Sequence, residues 1–415
     1  MANKNNNKTA LVLAGGGLSG AYYEIGALRA INDLLVDRTV NDFDIYIGTS
    51  SGALISSFIA NGVSPEIMFR VLNGTNKDIR LISRKEIFKL NHKEYFRSGV
   101  RIPAKLINAF SQFLSNIGNT TIIDLMWTLS DALPVGFYDT SRIAEFIQHT
   151  FQELGINDSF AKIPHEFYVI ATDLGTGNRA IFGRDFIETS ISEAIAASSA
   201  LPIFYKPVTI NGNEYIDGGL RGIASLDLAI ERGAKLVVCI NPLVPLDNNK
   251  RNGNQTGEVE KKLCERGFTT IANQTIRIMT HSGLHYHIKQ LKRTCQDVDI
   301  ILIEPKPNDQ KMFTPNIMQY SSRLSIAQHG FESVTYDLAA EYPKYKEILT
   351  RHSIPITRRL VNEELAEIDR SNHDPSVIRK IIEARQPRFG RNRKGKAISE
   401  LTRSLATLEM LIEQK

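Results

Sequence analysis

Three short glycine-bearing stretches hold the residues best suited to chemistry. Gly48-Thr49-Ser50-Ser51-Gly52 fits G-x-S-x-G with Ser50 at its centre. In that pattern a sharp strand-to-helix turn thrusts the central side chain out at the top of a sheet, where a hydroxyl can attack an acyl carbonyl. The N–H of Ser51 would then sit at a helix N-terminus and help hold an oxyanion, while its side chain reads as a cap and small packing group. Gly15-Gly16-Gly17-Leu18-Ser19-Gly20 closes an apolar run. Its glycines allow a tight turn whose successive N–H groups can hold a phosphate, or an oxygen that turns negative during acyl transfer. The same turn can equally serve without a ligand. Asp217-Gly218-Gly219 follows the short run Asn213 to Ile216. Asp217 is a candidate base there, and the triplet also reads as a plain hairpin turn.

Two rival assignments fail on their own requirements. A dinucleotide site built on G-x-G-x-x-G needs an acid at the end of the second strand, for a ribose hydroxyl. Here that strand ends in Gly48-Thr49-Ser50. A Ser-His-Asp triad in hydrolase order needs a late histidine in a short loop after a strand. His281, His285, His287, His329, His352 and His373 are all placed otherwise. The cluster His281, His285 and His287 has no carboxylate near it in sequence, so it reads as solvated helix and no metal is expected. Cys239, Cys264 and Cys295 are odd in number and lack C-x-x-C spacing, which speaks against a disulfide framework or zinc site.

The elements that must position these residues alternate between strand and helix. Strands are expected at 9–14, 43–47, 166–172, 208–210, 214–216, 235–241 and 299–304. Helices are expected at 20–37, 51–61 and 189–199, with another from Leu226. Ile25, Leu28, Ile31 and Leu35 line one face of the first helix. Such alternation predicts a three-layer α/β/α sandwich with a mostly parallel central sheet. Residues 80–135 break the pattern and are expected to form a helical cap, with Leu106, Ile107, Phe110, Phe113 and Leu114 on one face. The expected organisation is a disordered tail at 1–8, a catalytic domain at 9–345 and a helical, basic extension at 346–415.

The chain has 415 residues, 42% of them hydrophobic and 23% charged, with a net charge of +5. These values suit a globular protein with ample core. The apolar run Ala10–Ala14 is shorter than a signal-peptide core, and no run of eighteen apolar residues exists, so a cytoplasmic protein without a cleaved leader is expected. The segment Arg379–Lys396 carries eight basic residues against the single acid Glu383. Three readings of it compete: a solvated tail, attraction to an anionic membrane, and nucleic-acid binding. With Phe389 as its only aromatic it offers little stacking, so no nucleic acid is expected.

Taken together, the three motifs resemble the patatin-like phospholipases, lipid acyl hydrolases with a Ser-Asp dyad. Two further stretches carry the likeness, Ile170-Ala171-Thr172-Asp173-Leu174-Gly175-Thr176-Gly177 and Ala196 through Pro207. The resemblance covers roughly residues 9–245. It implies a serine esterase acting on phospholipids or lysophospholipids, with Ser50 as nucleophile and Asp217 as general base. It also implies that Gly15, Gly16 and Gly17 form the oxyanion hole, that Gly20, Gly48, Gly52, Gly218 and Gly219 support the motifs, and that no cofactor, metal or histidine takes part. The family often carries Arg or Lys where this chain has Ser19. An esterase or thioesterase on soluble substrates and a non-catalytic lipid-binding protein are the alternatives.

Overall fold

Strand β1 (Lys8–Leu13) is buried from Thr9 onward because its two faces enter different cores. Leu11 and Leu13 point to one, Ala10 and Val12 to the other. A strand covered on both faces needs no polar alternation, which is why it reads as one apolar run. The computed structural model describes residues 7–75, 136–247, 262–313 and 320–384.

After β1 come α1 (Gly17–Leu34), β2 (Ile45–Thr49), α2 (Ser51–Ala60) and α3 (Pro65–Asn73). From residue 136 the chain forms β3 (Gly136–Tyr138), α4 (Ser141–Leu154), β4 (Glu166–Asp173), β5 (Arg179–Phe182) and α5 (Ile191–Ser198). Next are β6 (Ile203–Tyr205), β7 (Val208–Ile210), β8 (Asn213–Asp217), α6 (Leu226–Glu231) and β9 (Ala234–Ile240). The remainder is α7 (Phe268–Thr294), β10 (Asp299–Ile303), the short α8 (Gln310–Phe313), α9 (Arg323–Ala340), α10 (Tyr342–Arg351), α11 (Arg359–Arg370) and α12 (Pro375–Glu383).

The main sheet runs β10-β9-β1-β2-β4-β8-β7, with β5 also paired to β4. The first five strands of that order are parallel, and β5, β8 and β7 join antiparallel. Helices α1, α2 and α5 share the core of Leu11 and Leu13, while α6 and α7 share that of Ala10 and Val12. The chain is thus an α/β/α sandwich on a mostly parallel sheet, as its strand–helix alternation predicts. The parallel pair β3–β6 is a separate small sheet that the sequence reading did not foresee.

Helix α1 is buried almost all round because α9 packs on its outer side at backbone distance. A Cβ at Gly26 would lie 2.1 Å from the carbonyl oxygen of Ala327, so only glycine fits. About one turn further along α1 the buried Arg29 pairs with Asp33, Glu66 and Glu364, and donates to the carbonyls of Ile381 and Ile382. Ile378, Ile381 and Ile382 join the same core as Leu11. The helical C-terminal part through Glu383 is therefore built into the sandwich. The expected cap, with its face Leu106 to Leu114, and the basic residues from Arg385 onward lie outside the described residues. Among the described residues no helix is long and apolar enough to cross a membrane.

Candidate active site

Strand β2 ends at Thr49 and α2 begins at Ser51, so one residue makes the whole turn. That residue is Ser50, at φ 53° and ψ −123°. A non-glycine residue with positive φ is strained, and such strain persists only where neighbours enforce it. Here the neighbours are close. A Cβ at Gly48 would lie 2.3 Å from the Cα of Ala53, and one at Gly52 would lie 2.3 Å from the carbonyl oxygen of Leu13. Both glycines are therefore required for α2 to start this close to β1 and β2. The Ser50 N–H is also fixed, donating 2.7 Å to the Oγ of Ser198 at the end of α5. Ser198 in turn donates to the carbonyl of Ile170 on β4.

The elbow aims the Ser50 hydroxyl at Asp217, and the hydroxyl donates to Oδ2 over 2.6 Å. Asp217 ends β8, whose antiparallel pairing sets it opposite Ala171 of β4. Its other oxygen accepts from the N–H of Gly219 at 2.7 Å. Its backbone is held by Thr172, which donates to its carbonyl at 3.1 Å, and by the carbonyl of Ala200. Gly218 lies against the carbonyl of Ile170, where any side chain would clash. Burial pushes the Asp217 carboxyl up from 3.8 to about 6, although the bonds from Ser50 and Gly219 pull it down.

The glycine loop reaches the same point from β1. The N–H of Gly15 donates to the carbonyl of Ile223 at 3.2 Å, and that of Gly16 to the Oγ of Ser51 at 3.0 Å. Gly16 and Gly20 both rest on Pro242, just after β9. Two helix N-termini therefore meet beside Ser50, that of α1 at Gly17 and that of α2 at Ser51. Each adds positive potential and first-turn N–H groups that lack an acceptor within the helix. Among the described residues the N–H of Gly17 carries no such internal bond, which distinguishes it from Gly15 and Gly16.

The structure thus brings together Ser50, Asp217 and the Gly15–Gly17 loop. The braces Ser198 and Thr172 were not singled out from sequence as site residues, and the Ser51 side chain, expected as a helix cap, instead accepts from the N–H of Gly16. Ser198 and Thr172 lie in the two additional stretches noted above, which are the signal that could have found them. The late histidines go elsewhere. His329 meets Asp309, His352 meets Asp299, His373 meets Glu332, and His287 approaches Asp227. His281 and His285 face Glu304, which the fold supplies from the end of β10.

The sequence pattern described as Patatin-like phospholipase matches residues 11–230, more than half of the chain. The chain belongs to the patatin-like phospholipase family. The match spans all three motifs and both additional stretches. Two curated relatives are similar over about half of the chain. A probable lipid hydrolase of Invertebrate iridescent virus 6 is 24% identical over 53% of this chain and 63% of its own length. The omega-hydroxyceramide transacylase of Mus musculus is 23% identical over 48% of this chain and 25% of its own length. The chain therefore spans less than two thirds of either relative. Among solved structures, VipD from Legionella pneumophila is 12% identical, with 91% of this chain and 79% of that chain covered at a TM-score of 0.30. The fold of this patatin-like chain stands on its own sheet and helices.

Proposed function

We propose that this patatin-like protein hydrolyses an acyl ester of a lipid through an acyl-serine intermediate, with Ser50 as nucleophile and Asp217 as general base. The observation that carries the reading is the 2.6 Å hydrogen bond between Ser50 and Asp217 at a strained elbow. Ser50 Oγ attacks the ester carbonyl carbon as its proton passes to Asp217 Oδ2. The oxyanion forms at the meeting of the two helix N-termini, with the N–H of Gly17 as the loop donor, since Gly15 and Gly16 already donate elsewhere. Collapse of the adduct expels the alcohol, which takes the proton from Asp217. Water, deprotonated by Asp217, then frees the fatty acid and restores Ser50. General base catalysis contributes about 10²–10⁴-fold, and each oxyanion donor about 10²–10³-fold.

Phospholipid or lysophospholipid is the first choice of substrate, by membership of the family. The exposed Leu220, shortly after Asp217, gives the neighbourhood an apolar surface suited to acyl chains. The basic run Arg379–Lys396 would draw the protein to an anionic bilayer, each charge near it adding about 1 kcal/mol. A panel of phospholipid, lysophospholipid, glyceride and short-chain ester substrates, run on wild type and Ser50→Ala, tests the proposal. Hydrolysis by wild type alone, with fluorophosphonate labelling lost in Ser50→Ala, is the expected result. Equal turnover by both proteins would overturn it.

A further inference from the structure

The side chains of His281 and His285 stand one helical turn apart on α7, and their rings lie 4.1 Å apart, centroid to centroid. Both turn Nε2 toward one carboxylate. His281 Nε2 is 3.4 Å from Glu304 Oε1, and His285 Nε2 is 3.1 Å from Oε1 and 3.3 Å from Oε2. All three groups present ligand atoms within 4.8 Å of one another. We infer that His281, His285 and Glu304 form a binding site for a divalent transition cation of the zinc type.

The spacing is the first argument. Zinc bonds of 2.0–2.1 Å to imidazole nitrogen and carboxylate oxygen, in a tetrahedron, place neighbouring ligand atoms about 3.3 Å apart. The two imidazole-to-carboxylate approaches, 3.4 Å from His281 and 3.1 Å from His285, bracket that value. They are also long for charge-assisted hydrogen bonds, which run nearer 2.7–2.9 Å. The ligand chemistry is the second argument. Two imidazoles and one carboxylate are borderline donors that favour zinc over calcium or magnesium. The third is support behind the ligands. Asn241 donates its side-chain amide to Glu304 Oε2 at 3.3 Å, and its backbone N–H to Ile303 at 2.9 Å. An outer partner of this kind fixes the orientation of a ligating carboxylate. With three protein ligands and His285 about half exposed, a fourth position stays open to water. The cation would fasten α7 to the end of the edge strand β10. Asn241 directly precedes Pro242, on which the glycine loop rests, so the site lies at the same carboxyl end of the parallel strands as Ser50.

Titration of the untagged, chelator-stripped full chain with zinc chloride in a calorimeter tests the inference. One saturable equivalent is expected, and Co²⁺ in its place should give the visible absorption of a tetrahedral site. The double variant His281→Ala/His285→Ala and the near-isosteric Glu304→Gln should each weaken binding about 100-fold or more. Asn241→Ala should weaken it about tenfold, in line with the loss of an outer partner. His287→Ala, on the same helix but facing Asp227, should bind as wild type. Far-UV circular dichroism separates loss of ligand from loss of fold, and Glu304→Gln is the variant least able to unfold the chain. Absence of saturable binding in wild type, or unchanged binding in the folded Glu304→Gln variant, would overturn the site.

Discussion

Ser50 donates to one oxygen of Asp217 while the N–H of Gly219 holds the other, so the carboxylate cannot rotate away from the hydroxyl. In the proposed mechanism the pair needs no third member to orient the base, whose working form is the ionised carboxylate, and burial raises that carboxyl from 3.8 to about 6. Activity is therefore expected to rise through about pH 6 and level off above it. Asp217→Asn should lower kcat by about 10³-fold or more and abolish the step near pH 6. The stability effect has the opposite sign. The folded state binds the Asp217 proton more tightly than the unfolded chain, so this group favours folding at low pH and disfavours it as pH rises through about 4–6. A shift of about two units corresponds to roughly 3 kcal/mol. Asp217→Asn should thus match wild-type stability at pH 4 and exceed it at pH 8. Thermal unfolding at the two pH values reads the difference, and a variant less stable than wild type at pH 8 contradicts the assignment.

The positive φ of Ser50 gives a second test at the same residue. Glycine adopts φ 53° without steric penalty, whereas alanine keeps the strain of serine. Ser50→Gly should therefore be more stable than Ser50→Ala by about 1 kcal/mol, with both inactive. Denaturant midpoints compare them. Equal stability would mean that the elbow stores no strain.

Much of this arrangement is legible in the sequence, for a physical reason. Strands β1 and β2, which lead into the glycine loop and Ser50, are buried on both faces and read as apolar runs, whereas β8, which carries Asp217, is exposed at its first two residues. The turns that present the site's groups need glycines at fixed offsets, as Gly48 and Gly52 show. The expected second helix, 51–61, differs by one residue from α2, and the expected strand 235–241 overlaps β9 almost fully. What the sequence hides is contact between distant segments. The stretch around Ser198 is legible, but not that its hydroxyl accepts from the Ser50 N–H, and nothing near His281 announces Glu304. The small sheet β3–β6 escaped because each strand is three residues long and its partner lies far along the chain.

Glu24 on α1 is fully buried, and neither of its carboxyl oxygens has a hydrogen-bond partner among the described residues. Burial raises its pKa well above the ordinary range, which favours the neutral acid. An unpaired buried polar group disfavours folding by about 1–3 kcal/mol. Glu24→Met, which is close in size and free of that penalty, should raise the unfolding free energy by about that amount. A fall in stability would show that Glu24 has a partner in the working protein.

Arg29 is a buried cation facing Asp33, Glu66 and Glu364. Burial and the neighbouring Asp33 push the Glu364 carboxyl upward, which limits the negative charge that Arg29 must balance. Removing one partner of a buried ion pair typically costs about 3–5 kcal/mol, because the other charges are left unpaired. Arg29→Met should do so here. The loss should concentrate in α11 and α12, and faster hydrogen exchange over residues 359–383 would report it. Uniform exchange across the chain would argue that Arg29 does not fasten these helices.

The fold also decides where the basic C-terminal run can be cut. Removing everything after Asp374 would delete α12, whose Ile378, Ile381 and Ile382 are buried and whose last turn accepts from Arg29. Loss of liposome binding in that truncation would say nothing about charge. A cut after Ala384 spares α12 and removes Arg385, Arg388, Arg391, Arg393, Lys394 and Lys396. If the run draws the protein to anionic bilayers, the shorter chain should bind them more weakly at low salt. Six charges worth about 1 kcal/mol each set an upper bound, which screening reduces. A drop of about tenfold or more is expected, with hydrolysis of a soluble short-chain ester unchanged. The difference between the two proteins should shrink as salt is raised, since the attraction is electrostatic. Equal binding by both at low salt would remove the basic run from any role at the membrane.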